Sequence, residues 1–300
     1  MRLETDSFDE VVHEIWKFFE ERPDFSALRG NDAFMEVAVP AMSRLLGLGK
    51  IVVSIRRPGG KWYPRRFAPH LGLMVRMLKL YEGMLEQTCE QKGELVTVYY
   101  RPFLEALVKL EYLMRSGPRS VRSFIETSFR PEKDMLAHLK QVEWRRELTP
   151  IERRMLRSIQ SHLRRAGVRQ KDLLARKSWD LDGRNMRALM ATMNWDIGYA
   201  FGFASSSHSV HASWYDLLVN HLSVDGRAYS PDITFRVPDT RLVAPHSYML
   251  ADQLLRFVSF FRLEPRSLLA DLLSMIAVFF HDLDAAHEKT LSGTDSEEAG

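Results

Sequence analysis

The sequence predicts a mostly α-helical fold, a multi-helix bundle with a small hairpin or irregular loop element. Apolar residues recur at helical spacing along most of the 300 residues, as they do on helices that bury one face. One of these segments also has both end signals of a helix, a capping box before it and a glycine after it. Runs of β-prone residues are confined to 50–64 and 233–237, so strands can contribute only a small part of the fold.

The helices are predicted from this periodicity and from the proline and glycine residues that end each segment. In chain order they cover residues 8–22, 32–46, 71–91, 96–115, 121–144, 150–166, 185–192, 196–222, 248–261 and 267–287. Pro40 is expected to interrupt the second helix. Pro58-Gly59-Gly60 predicts a hairpin turn within 50–64. The segment 223–245 is rich in Pro, Gly and Asp and predicts an ordered loop with one short strand.

Length and composition predict a single domain over residues 1–290, followed by a disordered polar tail over 291–300. The chain is 45% hydrophobic and 27% charged, which excludes global disorder. Cys89 is the one cysteine, so no internal disulfide can form. The N-terminus is acidic, unlike a signal peptide, and the chain has no uninterrupted apolar run long enough to cross a membrane. We therefore expect a cytoplasmic protein without a membrane span.

The segment 149–167 is the most clearly bounded of the predicted helices. Thr149, Pro150 and Glu152 form a capping box with proline at the first helical position, and Gly167 follows the last apolar residue. Steps of about 100° per residue gather the apolar residues on one side of this helix. The opposite side carries the arginine ridge, which consists of Arg153, Arg154, Arg157, Arg164 and Arg165.

The arginine ridge lies in a basic block. Residues 140–187 contain 14 Lys and Arg against 6 Asp and Glu, whereas the net charge of the whole chain is only +3. This asymmetry favours an anionic partner. The alternative is a solvated helix face whose arginines bind no ligand.

A polar cluster is predicted between two helices. In the stretch Ser205–Trp214, Ser207 and His211 project to the apolar side of the helix, four residues apart. Arg101 and Glu105, also four apart, lie on a helix that is apolar nearly all the way round. Because buried polar groups need partners, these four side chains are expected to meet. His211 would act as general acid–base, Arg101 would hold a phosphate or the cluster, and Glu105 and Ser207 would orient them. The alternative is a structural network.

Metal and cofactor sites are not predicted. His208 and His211 are three residues apart, but no cysteine or nearby glutamate completes a ligand set. The glycine-containing stretches PGG and GLGK lack the spacing of nucleotide-binding loops. Ser207 lies in mid-helix, whereas nucleophilic serines usually lie on exposed, strained turns.

Two of these segments resemble an uncharacterised family of prokaryotic all-helical proteins. YRPFLEALVKLEYL is similar to an Arg…Glu helix of that family. An aromatic ladder followed by Ser-x-x-Val-His appears here as Tyr199, Phe203, Ser207 and Val210-His211. The resemblance covers roughly residues 71–222. Phe203 stands where the family pattern has tyrosine, which removes any role for a hydroxyl at that position.

This family in turn resembles the HEPN helical bundles, many of which act on RNA in defence and toxin systems. Ribonucleases of that group carry Arg-x(4–6)-His. The motif occurs three times here, at Arg65/His70, Arg157/His162 and Arg241/His246, and chance alone gives about 3 occurrences. The presence of the motif is therefore no evidence for ribonuclease activity. Any RNA cleavage would be metal-independent and would use a different set of catalytic residues.

The leading hypothesis is a HEPN-like module that engages RNA or another phosphate-bearing ligand, in a defence or toxin role. Trp179 is a candidate base-stacking side chain, although a lone tryptophan is more often part of a core. The residues expected to contact phosphates are Arg153, Arg157, Arg164, Arg165, Arg169 and Lys171. The alternative is a non-catalytic interaction module whose basic ridge binds an acidic protein partner or supports a homo-oligomer. No cofactor is expected.

Overall fold

The computed structural model describes residues 5–56, 63–195, 203, 207–211, 213–225 and 228–298. Within these residues the chain forms thirteen α-helices and one two-stranded antiparallel sheet. The helices are α1 (Thr5–Glu20), α2 (Gly30–Ser54), α3 (Ala68–Cys89), α4 (Gly93–Arg115), α5 (Pro118–Thr127), α6 (Arg130–Arg145), α7 (Pro150–Ala166), α8 (Gln170–Ala175), α9 (Met186–Ala191), α10 (Ser207–Val210), α11 (Trp214–Asn220), α12 (Thr240–Phe261) and α13 (Arg266–Glu298). The strands are β1 (Leu222–Asp225) and β2 (Ala228–Pro231), and short 3₁₀ helices occur at Phe25–Ala27 and Arg65–Phe67. The prediction of a mostly α multi-helix fold is confirmed.

The chain divides into two compact units. Unit 1 contains residues 1–110 and 197–300, and unit 2 contains residues 111–196. The single domain over 1–290 stays a prediction. Helix α13 continues to Glu298, through most of the segment 291–300 in which a polar tail is expected.

Helix α2 is longer than the sequence predicts. Pro40 lies inside it without ending it, and residues 51–54, expected to be β, form its last turn. The guanidinium of Arg44 donates a 3.1 Å hydrogen bond to the Pro40 carbonyl oxygen. Burial of large apolar residues overrides the local preference, because Phe34, Met42 and others along α2 are fully buried. Residues 57–62, which contain the predicted turn, lie outside the described residues.

In the described part of the chain, α2 is also the one helix whose length and apolar composition would allow it to cross a membrane. These criteria are weak, because a core helix meets them as well. α2 contacts α1, α3, α12 and α13. The absence of a membrane span and the cytoplasmic location stay predictions.

The core of unit 1 is built around α12 and α13, which pack along each other. At one end of this core, phenylalanine rings from α1, from the first 3₁₀ helix and from α13 meet edge to face. The ring of Phe279 lies 4.9 Å from that of Phe19 and 5.1 Å from that of Phe25. Such edge-to-face pairs add to the stabilisation that burial gives.

The segment predicted as one helix over 196–222 has a different structure. Its described part forms the short helices α10 and α11, and the hydroxyl of Ser213 caps α11 by accepting from the Asp216 N–H. Tyr199 lies outside the described residues. The hairpin β1–β2 follows directly, with Leu222 opposite Pro231 and Asp225 opposite Ala228. A small hairpin is therefore present, but later in the chain than the predicted turn.

Residues 233–237 form no strand. Helix α12 begins at Thr240, eight residues before the predicted start. The side chain of Asp239 caps it by accepting a hydrogen bond from the Arg241 N–H, and Pro245 lies inside the helix without ending it.

Unit 2 has its own apolar core, to which α6, α7 and α8 contribute. Its buried residues are Leu136, Leu139, Leu148, Ile159, Leu163, Val168 and Leu173. α6 contacts both α7 and α8. This packing fixes the side of α7 that faces inward, and thereby the side that faces solvent.

Candidate functional site

Both ends of α7 are held by the predicted capping groups. The Thr149 hydroxyl accepts from the Glu152 N–H at 3.3 Å, and the Glu152 carboxylate accepts from the Thr149 N–H at 2.7 Å. The Arg146 guanidinium binds the same carboxylate through two 2.8 Å hydrogen bonds. The Arg146 hydrogen bonds, with that of the Thr149 backbone, lower the pKa of Glu152 to about 2. At the other end Gly167 adopts the left-handed conformation, with φ of 66°.

The arginine ridge lies on the exposed side of α7. Ile159 and Leu163 are buried in the core of unit 2, which confirms the predicted apolar side, although Ile151 is 60% exposed. All five ridge arginines are exposed. Four of them make no ion pair with any residue that the structure describes, namely Arg153, Arg154, Arg157 and Arg164.

Two carboxylates of unit 2 bind partners outside α7. Glu126 pairs with both Arg122 and Arg176, and Asp182 accepts a 2.9 Å hydrogen bond from the Tyr112 hydroxyl. The unit contains 19 Lys and Arg against 11 Asp and Glu. Glu152, the one acidic residue in α7, is held by Arg146. Four arginines of α7 therefore carry positive charges that no described carboxylate pairs with.

The remaining two predicted phosphate contacts follow α7. Arg169 binds Asp172 through hydrogen bonds of 2.7 and 3.1 Å, and these bonds lower the pKa of Asp172. Lys171 is exposed. Because its charge is paired, Arg169 is a weaker candidate than the ridge.

Sequence reasoning missed Trp144, which is 88% exposed near the end of α6. The signal was present, since a helical projection places residue 144 about 140° from the buried Leu139. Trp179, a candidate either for base stacking or for the core, packs against the core of unit 2, with the Lys133 ammonium 5.2 Å from its ring. An exposed indole next to Arg145 and Arg146 is suited to stacking on a base or a sugar.

In unit 1 the structure brings two of the four predicted cluster residues together. The Arg101 guanidinium donates a hydrogen bond to the Ser207 hydroxyl. This hydroxyl donates in turn to the Phe203 carbonyl oxygen at 3.0 Å, and the guanidinium lies 4.6 Å from the centre of the Phe203 ring. The phenylalanine that stands in place of tyrosine thus serves as an apolar surface for Arg101.

The other two predicted residues are not part of this group. Glu105 pairs with Lys109, one turn further along α4, and does not reach Arg101. His211 is exposed in the turn after α10. The prediction that it faces inward is wrong: the His211 N–H still bonds to the Ser207 carbonyl oxygen at 3.1 Å, but α10 is only one turn long and the His211 side chain is exposed to solvent. The Arg101–Ser207 contact therefore contains no general acid–base pair.

Unit 1 contains a second set of buried polar side chains, which no sequence pattern indicates. Tyr100, His246 and His287 are 5%, 9% and 1% exposed. The Tyr100 hydroxyl, His246 Nε2 and both His287 ring nitrogens make no hydrogen bond to the described residues. Burial lowers the pKa of His246 to about 4 and also lowers that of His287. Both imidazoles are therefore neutral at pH 7.

No cluster of three or more metal-ligating side chains occurs within the described ranges. His208 instead contacts the Ser213 hydroxyl at 2.8 Å.

Comparison with known proteins identifies a family but no individual relative. No curated protein and no solved structure matches the chain. A family model, described as a family of unknown function (DUF5677), matches residues 67–229. That span contains the segments 100–113 and 199–211 that carry the resemblance, as well as all of unit 2. Because the match covers more than half of the 300 residues, the chain belongs to DUF5677, a family of unknown function.

Proposed function

We propose that this protein binds RNA, or another phosphate-bearing ligand, through the arginine ridge of α7. The main support for the proposal is that all five ridge arginines are exposed and that four of them make no ion pair with the described residues. Phosphate oxygens match the fork of donors on a guanidinium better than they match a lysine ammonium. The ridge contains only arginine.

The rigidity of α7 supports the same proposal. Its first turn is fixed by the capping box and by Arg146, its last turn by Gly167, and its inner side by the core of unit 2. A ligand therefore meets cations whose backbone positions are set before binding. Preorganisation of this kind reduces the entropy that binding costs.

We propose binding rather than catalysis as the primary activity. In the predicted catalytic set, His211 is exposed in a turn and Glu105 pairs with Lys109. Arg101 and Ser207 hold α4 to the segment around Phe203, which suits a structural contact. A HEPN-like defence or toxin role would follow from the resemblance, and it stays a prediction.

The test is equilibrium binding of the full chain to a mixed-sequence RNA pool over a range of salt concentrations. Binding should weaken steeply as salt rises, since each phosphate contact releases counterions. The triple variant Arg153→Gln, Arg157→Gln, Arg164→Gln should lose at least about tenfold in affinity. The control replaces three other exposed basic residues of unit 2, Arg119→Gln, Arg130→Gln and Lys140→Gln, and should lose much less.

Two outcomes contradict the proposal. If the folded wild-type chain does not bind RNA even at low salt, the ridge does not bind this polyanion. If the control variant loses as much affinity as the ridge variant, the binding reflects net charge alone. Binding to an acidic protein with no binding to RNA would support the docking alternative.

A further inference from the structure

The ridge arginines form two rows along α7 rather than one. With about 100° of rotation per residue, Arg153, Arg157 and Arg164 share one direction and Arg154 and Arg165 share another, about 90° away. Both rows point away from the buried Ile159 and Leu163. The first and last arginines of each row are 11 positions apart, which corresponds to a rise of about 16 Å along the helix.

The strip between the two rows is polar and free of acidic groups. Ser161 projects between the rows, and Gln160 lies beside the first. The one carboxylate of the helix, Glu152, is held by Arg146 and Thr149. The outward side of α7 thus offers cations on both flanks, the Ser161 hydroxyl between them and the Gln160 amide at the outer edge of the first row.

From this arrangement we infer that the preferred ligand is a nucleic-acid duplex, with α7 lying along a groove and one arginine row on each phosphate backbone. The inference rests on the proposed function. A single strand offers one line of phosphates, which one row of arginines can follow. A duplex groove has a phosphate backbone on both sides.

The dimensions of a groove are compatible with this placement. The major groove of B-DNA is about 12 Å wide and admits an α-helix. The minor groove of an RNA duplex is wide and shallow, and displays 2′-hydroxyls that Ser161 and Gln160 could contact. The inference concerns the duplex as a class, and the two arms of the experiment distinguish RNA from DNA.

The experiment compares a duplex RNA of about 20 base pairs, a duplex DNA of the same sequence and each single strand, with the full chain at several salt concentrations. The duplex should bind about tenfold more tightly than the single strands. Two variants separate the rows: Arg153→Gln with Arg157→Gln and Arg164→Gln, and Arg154→Gln with Arg165→Gln. Each should weaken duplex binding by at least about tenfold. The slope of log affinity against log salt should fall by about 3 in the first variant and by about 2 in the second.

A charge-matched control and a rescue variant complete the design. Arg119→Gln with Arg130→Gln removes two exposed charges elsewhere in unit 2 and should change affinity by less than about threefold. Arg154→Lys with Arg165→Lys keeps both charges but loses the guanidinium forks, and should recover only part of the duplex affinity. Circular dichroism and thermal unfolding show whether each variant retains its fold.

The outcomes distinguish this inference from the proposed function. If single strands bind as tightly as the duplex, or if the second row can be replaced without loss, the duplex inference is wrong while RNA binding stands. If no nucleic acid binds to the folded chain, the proposed function fails and the duplex inference fails with it.

Discussion

The ring of Tyr100 stacks on the ring of His246, with centroids 3.8 Å apart and planes inclined by 12°. His246 Nδ1 lies 2.7 Å from the Leu242 carbonyl oxygen, so this nitrogen carries the proton and donates it. Nε2 is then unprotonated and faces no described hydrogen-bond partner. The stacked pair is therefore built for a neutral imidazole, and protonation of His246 would place a charge inside the core of unit 1.

The first prediction is that unit 1 loses stability in mild acid. The folded pKa of His246, about 4, lies below the unfolded value of about 6.5, so the unfolded chain takes up the proton first as pH falls. The stabilisation is complete above about pH 6.5 and is lost progressively towards pH 4. Between about pH 7.5 and 4.5 this group should lower the free energy of unfolding by about 2–3 kcal/mol. Urea unfolding at each pH measures it.

His246→Phe is the matched variant, because it retains a ring against Tyr100 and removes the titrating group. Its free energy of unfolding should fall less steeply over the same pH range. His287, whose pKa burial also lowers, should leave a residual slope. Parallel losses in the variant and the wild type would show that His246 does not account for the acid sensitivity.

The second prediction is that Arg101, but not His211, contributes to the stability of the fold. Arg101→Ala removes the hydrogen bond to Ser207 and the contact with the Phe203 ring, and should lower the free energy of unfolding by about 1–2 kcal/mol. His211→Ala changes an exposed side chain and should stay within about 0.5 kcal/mol of the wild type. Chemical denaturation of both variants provides the measurement. A large effect of His211→Ala would mean that the histidine is structural after all.

The sequence predicts those parts of the site whose signals lie within one short segment of the chain. The ends and faces of α7 were predicted because the capping box, Gly167 and the apolar stripe all lie within one segment. Arg101 and Ser207 were correctly paired because each lies next to apolar residues on its own segment. His211 was misplaced because the sequence has no strong stop signal between Val210 and Ser213, where the helix breaks.

Contacts between residues far apart in the chain have no local sequence signal. The stack of Tyr100 on His246 joins residues 146 positions apart on different helices, and neither position differs in pattern from an ordinary core site. The early start of α12 also depends on a contact between distant residues. Asn31 accepts from the Thr240 N–H at 3.0 Å across 209 positions, which no local rule could indicate.

The third prediction concerns the capping box of α7. Thr149→Ala removes the hydroxyl that accepts from the Glu152 N–H and should cost about 1 kcal/mol of stability. Thr149→Ser keeps the oxygen and should cost much less. If α7 presents the ridge as proposed, Thr149→Ala should also weaken RNA binding without changing any charge. Thermal unfolding and RNA titration of the two variants test both effects, and equal behaviour of Ala and Ser would refute the role of the cap.

The fourth prediction compares two glycines at helical positions. A Cβ added at Gly93 would lie 2.6 Å from the Val237 carbonyl oxygen, and the Gly93 N–H donates to the Arg236 carbonyl oxygen at 2.6 Å. The neighbouring atoms are backbone, so they cannot yield by a rotamer change. Gly93→Ala should therefore lower the free energy of unfolding by about 1–3 kcal/mol, and should loosen the segment 236–239 that leads into α12.

Gly72, inside α3, is the control for that substitution. A Cβ there meets nothing within 4 Å, so Gly72→Ala brings only the gain in helix propensity, about 0.5–1 kcal/mol of added stability. The two substitutions thus have opposite expected signs for the same chemical change. Urea unfolding measures the sign, and proteolysis within 228–239 reports loosening of that segment. A neutral Gly93→Ala would mean that the contact between the start of α4 and the Arg236–Val237 backbone relaxes at no cost.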